Sequence, residues 1–182
     1  MPNPASHWDA LLQPVAEAVG DPTRGLPEDV FLFVSSLTPM VNVDLLIQNA
    51  QGESLLTWRE DAYYGAGWHV PGGIVRLKET LASRVKAVAR LELGAEVEFD
   101  PIPAAVNEVI RPTRRTRGHF ISFLYRCSMT TQPAEILRFK AGQARPGEWM
   151  WHAGCPPDLL VVHEMYRSFL TGERSTSAVS LG

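Results

Sequence analysis

The order of apolar runs and turns predicts an α/β chain of the α+β kind, a mixed β-sheet sandwiched between helices. Three observations predict it. Val41, Val43, Leu45 and Ile47 alternate with Asn42, Asp44, Leu46 and Gln48, the period of a strand. Leu81, Val85, Val88 and then Leu91 or Glu92 recur at helical steps. Strand-like and helix-like segments also interleave along one chain, which favours a sheet covered on both faces.

Taken in order, the elements read as follows. Ser6 to Val19 is an expected amphipathic helix: Ser6 can cap it, and Trp8, Leu11, Leu12, Val15 and Val19 share a face. Gly20-Asp21-Pro22 ends it. It is expected to pack on the core or on a second copy of the chain, as in a homodimer. Val30 to Val34 reads as a short strand. Val41 to Gln48 is a stronger one, with Asn49-Ala50-Gln51-Gly52 as a hairpin turn and Ser54 to Trp58 returning. Trp68-His69-Val70-Pro71 leads into Gly72-Gly73. A helix follows from Thr80 to Leu93 and stops at Gly94. Ala105 to Ile110 and His119 to Cys127 are further strands, joined by the basic loop Arg111 to Gly118. Glu148 to Trp151 is a short last strand, and Asp158 to Leu170 a final helix after Pro156-Pro157.

Composition narrows the function. The chain has 182 residues, enough for one domain with a full core. A net charge of −3 supplies no basic field for nucleic acid. Two cysteines, Cys127 and Cys155, are too few for a disulfide framework and read as the reduced thiols of a cytoplasmic protein. No basic segment followed by a long apolar run begins the sequence, and no apolar stretch is long enough to span a bilayer.

The most informative stretch is Val70 to Ala95: a glycine turn, a short loop with Glu79, a helix carrying Glu92, and a second glycine stop at Gly94. Two tight turns fix the backbone, so a glutamate near the helix end can meet a cation held at the Gly-Gly turn. Mg²⁺ is a hard ion that needs few protein ligands when a diphosphate completes its shell.

This spacing resembles the signature of the Nudix hydrolases, in which Gly73, Glu79, Glu92, Gly94 and Ala95 fall in place. Ala87 and Val88 stand where the signature has Arg-Glu, and Leu91 where it has the first glutamate of a pair. Loss of acidic positions resembles the GDP-mannose mannosyl hydrolase branch, although that branch keeps the arginine that is Ala87 here. The resemblance covers roughly residues 28–151. It implies an N-terminal helical extension over 1–25, a Nudix hydrolase domain over 26–172, and a disordered tail over 173–182.

Carried over, the resemblance implies Gly72, Glu92 and Gln143 as ligands of Mg²⁺, with Mn²⁺ as the alternative ion. It places Asp44 at a substrate-side aspartate, Arg59 at an arginine reaching the diphosphate, and His119 at a histidine assisting the leaving group. Cationic and hydrogen-donating groups suit a leaving diphosphate, on which negative charge grows. Arg76, Arg115 and Arg117 are further candidates, because arginine grips phosphate bidentately. Each has a plainer alternative: Asp44 an outward strand residue, Arg59 a surface charge, His119 a backbone-bonded histidine, and the arginine loop a solvated turn.

Three departures matter. Ile74 replaces an arginine after Gly-Gly. Glu79 loses its arginine at Ala87. Ala144 stands where the branch has its general base, leaving Glu148 and His152 as nearby residues able to accept a proton. The implied function is hydrolysis of a nucleoside-diphosphate sugar to nucleoside diphosphate and free sugar. The alternatives are a pyrophosphohydrolase attacking phosphorus, and a weakly active nucleotide-binding protein.

Overall fold

The structure, a computed structural model, describes residues 7–172. The Ser6 cap and the 173–182 tail lie outside the described residues.

Two β-sheets form the centre. The strands are β1 (Met40–Ile47), β2 (Ser54–Asp61), β3 (Gly65–His69), β4 (Gly72–Ile74), β5 (Val97–Phe99), β6 (Ala105–Ile110), β7 (His119–Met129) and β8 (Trp149–His152). The larger sheet runs β4-β1-β7-β5, with β6 also on β7. It is mixed: β1 and β7 are parallel, while the other pairs are antiparallel. The smaller sheet, β3-β2-β8, is antiparallel.

The alternation in β1 does not mark one wet face. Val43 to Ile47 are all buried, so both faces of this strand are covered. Val43, Leu45 and Ile47 join Leu55, Val85, Val88, Leu93 and Trp149 in one apolar cluster. Leu46 joins Leu56, Trp68, Leu124, Tyr166 and Leu170 in a second. Helix α3 (Leu81–Val88) closes the first cluster, and the C-terminal segment closes the second. The expected mixed sheet between helices is therefore the observed architecture. Among the described residues no helix is long and apolar enough to cross a membrane.

Three elements differ from expectation. Val30 to Val34 is not a strand but part of helix α2 (Glu28–Val34). The reason lies just upstream: Pro27 precedes the helix, and Glu28 and Asp29 occupy its first turn, where the macrodipole favours them. The last helix is shorter than Asp158 to Leu170. Residues 158–160 run beside β3 instead, where Trp68 donates to Asp158 O and accepts from Leu160 N–H. Only then do a 3₁₀ segment (Val161–Tyr166) and α4 (Arg167–Thr171) form. Finally, α1 (His7–Val19) leaves Trp8, Leu11, Leu12 and Val15 exposed rather than packed on the core.

Candidate active site

Both glycines of the Gly72-Gly73 turn are dictated by close approach. Gly72 pairs with Asp44 across β1 and β4, and a Cβ on Gly72 would overlap the Asp44 carboxylate. A Cβ on Gly73 would stand 2.9 Å from Val88 Cγ2 of α3. The turn is thus wedged between a buried carboxylate and the helix that leads to Glu92.

That helix does not end as an α-helix. Ala89–Leu93 is a π-turn, stopped by Gly94 at φ 61°. Here Glu92 faces the turn: Gly72 N–H donates to its Oε1 at 3.2 Å, and Thr57 Oγ1 donates to its Oε2 at 3.2 Å. His69 Nε2 lies 3.4 Å from the same Oε2. The side chain of Glu92 is 27% exposed, so it can reach a ligand while being held.

Of the two missing acidic positions, the one at Val88 has a physical explanation. Val88 is core, 2% exposed, and packs under Gly73. Leu91 is 71% exposed and lines the same hollow as Glu92, to which it brings no carboxylate. Only the Glu92 position faces the turn with a carboxylate.

Glu79 has not lost its arginine, which corrects the expectation drawn from Ala87. Arg84, one helical turn earlier, takes that part: its Nε donates to Glu79 Oε2 at 2.8 Å. Its Nη2 lies 2.6 Å from the same oxygen, an ion-pair contact without hydrogen-bond alignment. Arg76 N–H also donates to Glu79 Oε2, at 2.9 Å. Glu79 therefore ties the loop after the Gly-Gly turn to α3, and Thr80 caps the helix by accepting from Ser83 N–H.

A cavity of about 650 Å³ opens at this turn. Its lining includes Asp44, Arg59, Gly72, Arg76, Glu92 and Arg117, six of the residues singled out from the sequence. It also includes Arg84, Glu60, His69, His163, Trp58, Tyr64 and Phe120. Four arginines and three carboxylates line it, and one of the arginines, Arg84, is ion-paired with Glu79. Arg117 is held over the Tyr63 ring at 4.7 Å, and Arg114 over the Tyr64 ring at 4.5 Å. The basic loop is therefore anchored on aromatic faces rather than being a loose solvated turn.

Other candidates do not line the cavity. His119 pairs with Glu108 Oε1 at 3.1 Å. Arg115 and Gln143 are exposed elsewhere. Glu148 turns to Arg145, accepting from its backbone N–H and its guanidinium. His152 packs against the Trp68 ring at 4.6 Å, and burial lowers its pKa. Neither of these two bases reaches the site.

Asp44 is 1% exposed and is held by donors. Tyr166 OH donates to Oδ2 at 2.6 Å, Asn42 Nδ2 donates to Oδ1 at 2.9 Å, and Ser122 OH also donates to Oδ2. Burial raises its pKa, and these hydrogen bonds oppose the rise. The plainer reading, an outward strand residue, is thereby replaced by a buried polar network.

Two histidines missed as site residues stand in the lining, their ring centroids 5.8 Å apart. His163 Nδ1 accepts from Val70 N–H at 2.8 Å, which leaves the ring proton on Nε2. Burial first, then the nearby His69 and Arg59, push its pKa well below the usual value, so the ring is a neutral donor. His69 is held the other way, with a hydrogen on Nδ1, since Nδ1 lies 2.8 Å from the Thr57 carbonyl oxygen. Nothing in the sequence tied His163 to a turn 93 positions away. Arg84 was findable, because it sits one turn from Ala87 on the same helical face.

Among the described residues there is no group of three or more His, Cys, Asp or Glu able to cage a metal. The donor set at Glu92 instead fits an ion that shares its shell with a phosphate ligand.

The NUDIX domain model matches residues 38–153. A low-salt glycan biosynthesis protein, Agl8 of Haloferax volcanii, is 38% identical over 79 residues, which span 43% of this chain and half of that protein's length. The MutT NUDIX hydrolase of Burkholderia pseudomallei superposes with a TM-score of 0.59 at 23% identity, covering 74% of this chain and 99% of that one. A possible asymmetric diadenosine tetraphosphate hydrolase from Jonesia denitrificans gives 0.58 at 19% identity, over 75% and 95%. The matched family model, which includes β1, the glycine turn, α3 and β8, shows that the chain belongs to the Nudix hydrolase family.

Proposed function

We propose that the protein hydrolyses a nucleoside-diphosphate sugar, releasing nucleoside diphosphate and free sugar. The observation that carries this reading is the Glu92 carboxylate, which accepts from the Gly72 N–H inside a hollow lined by Arg59, Arg76, Arg84 and Arg117. A divalent ion, Mg²⁺ or Mn²⁺, would be held by Glu92 with the Gly72 turn, and would supply charge neutralisation for the diphosphate. One carboxylate suits one ion, whereas attack at phosphorus in the acid-rich members of the family draws on several.

The chain's own residues would do the rest. Arg59, Arg76 and Arg117 bind the diphosphate and stabilise the charge that grows as it leaves. The neutral His163 Nε2–H is a further donor facing the hollow. Arg84 acts through Glu79, holding the loop, and is a positioning residue. Asp44, engaged by Tyr166, Ser122 and Asn42, positions the strand against Gly72. Trp58, Tyr64 and Phe120 offer faces on which a base or a sugar can lie. The glycan-related name of the Haloferax volcanii relative is consistent with a sugar nucleotide, over the half of that protein that matches.

A second reading is attack at phosphorus, yielding sugar phosphate and nucleoside monophosphate. It is favoured by Ala144 at the base position and by Gln143 outside the hollow. The deciding experiment offers GDP-, ADP- and UDP-sugars with Mg²⁺ and separates the products by chromatography. Free sugar with nucleoside diphosphate supports the first reading, and sugar phosphate with monophosphate supports the second. Binding without turnover would refute both in favour of a binding protein.

A further inference from the structure

His69 touches the Glu92 carboxylate, and the proposed reaction gives it no part. Its ring is 7% exposed and fixed at both ends. At one end, Nδ1 lies 2.8 Å from the Thr57 backbone carbonyl. A carbonyl only accepts, so Nδ1 carries a hydrogen, and in the neutral ring Nε2 is the nitrogen with the lone pair. At the other end, that lone pair stands 3.4 Å from Glu92 Oε2, an oxygen with lone pairs of its own. Nε2 and Oε2 stay close where a cation joins them, either a proton in an imidazolium–carboxylate pair or a metal ion in the proton's place. Thr57 Oγ1, 3.3 Å from each ring nitrogen, has a single hydrogen and donates it to Glu92 Oε2 at 3.2 Å.

We propose that His69 Nε2 is a second protein ligand beside Glu92, making a mixed nitrogen–oxygen site for the divalent ion. The proposal rests on the reading of Glu92 as the residue that holds the ion. Three features support it. Two donors each ~2.1 Å from one ion and roughly at right angles stand about 3 Å apart, near the observed separation. The Nδ1–H to carbonyl bond is the support that metal-bound histidines commonly have, and it fixes the tautomer needed. The pairing of Thr57 with His69 across β2 and β3 holds the ring rigidly, so little ordering remains when an ion arrives.

The consequence is selectivity. A site of oxygens alone suits Mg²⁺, whereas imidazole moves preference toward Mn²⁺ and Co²⁺. The test is binding rather than turnover. Mn²⁺ is added to the untagged full chain without nucleotide, and bound Mn²⁺ is read by pulsed electron paramagnetic resonance alongside titration calorimetry. The wild type is expected to show nitrogen modulation from one directly bound imidazole, and tighter binding of Mn²⁺ than of Mg²⁺. His69→Gln is expected to lose that modulation and to weaken Mn²⁺ binding by about tenfold or more, while Mg²⁺ binding changes less. Glu92→Gln tests the underlying reading and should weaken both ions. Mn²⁺ bound through Glu92 without nitrogen modulation would overturn the His69 assignment and leave Glu92 standing. Modulation that persists in His69→Gln would also overturn it, by pointing to another histidine. Mn²⁺ binding unaffected by either substitution would overturn both assignments.

Discussion

Replacing Arg84 by alanine tests the loop that carries the glycine turn. Arg84 is 4% exposed, and its Nε and Nη2 lie 2.8 and 2.6 Å from Glu79 Oε2. The Glu79 side chain is 17% exposed, so removing the arginine leaves a mostly buried carboxylate with only Arg76 N–H among its described partners. Breaking one side of a buried pair costs about 3–5 kcal/mol, and the residual exposure places this case near the lower end, about 3 kcal/mol. At roughly 2–4 °C per kcal/mol for a chain of this size, Tm should fall by about 6–12 °C. The assay is urea or thermal unfolding followed by circular dichroism. A second variant sharpens it: Arg84→Ala combined with Ala87→Arg moves the guanidinium one turn along the same face. It should recover a substantial part of the loss. A single variant within about 1 kcal/mol of wild type, or a double variant no more stable than the single one, would refute the claim that Arg84 stands in for the arginine absent at Ala87.

Other consequences follow from neighbouring contacts. Tyr166→Phe removes the donor to Asp44 Oδ2, and should cost about 1.5–3 kcal/mol when Asp44 is charged. Because burial raises the Asp44 pKa, the folded state binds the extra proton. This group's contribution to stability therefore falls as pH rises from the unfolded carboxylate range through the raised value. The Tyr166→Phe loss should accordingly be larger above that value than in acid, and a pH-independent loss in urea titrations would contradict the assignment. Gly72→Ala places a Cβ on the Asp44 carboxylate. It should lower stability by about 1–3 kcal/mol and activity much further; unchanged turnover would show that the turn tolerates movement.

Much of this architecture is written locally. The strand at β1, the turn at Asn49 to Gly52 and the stop at Gly94 each need only a few neighbouring residues, and each is where the sequence puts it, although β1 and β2 part into different sheets after the single bridge of Gln48 with Ser54. The turn at Gly72 and the carboxylate at Glu92 were legible for the same reason, because their spacing is set by one loop and one helix. Helix α2 was misread from its apolar run, although Pro27, Glu28 and Asp29 carried the signal for a helix start. Distant pairings were not legible. His163 reaches Val70 only because residues 158–160 dock on β3 first. His119 and Gln143 were placed by resemblance, and the long-range packing directs both outside the hollow. The buried network of Asp44, Ser122 and Tyr166 joins positions 78 and 122 apart, which no local pattern reports.

The central claim is that the Glu92 carboxylate at the Gly72 turn carries the hydrolysis. The direct measurement is turnover of the best substrate from the sugar-nucleotide panel by Glu92→Gln, beside its unfolding curve. The amide keeps the size of the side chain and removes its charge. The expected result is a kcat reduced by at least about a hundredfold, roughly 2.7 kcal/mol of lost transition-state stabilisation, with a Tm close to wild type. A variant that folds normally and retains wild-type kcat would contradict it.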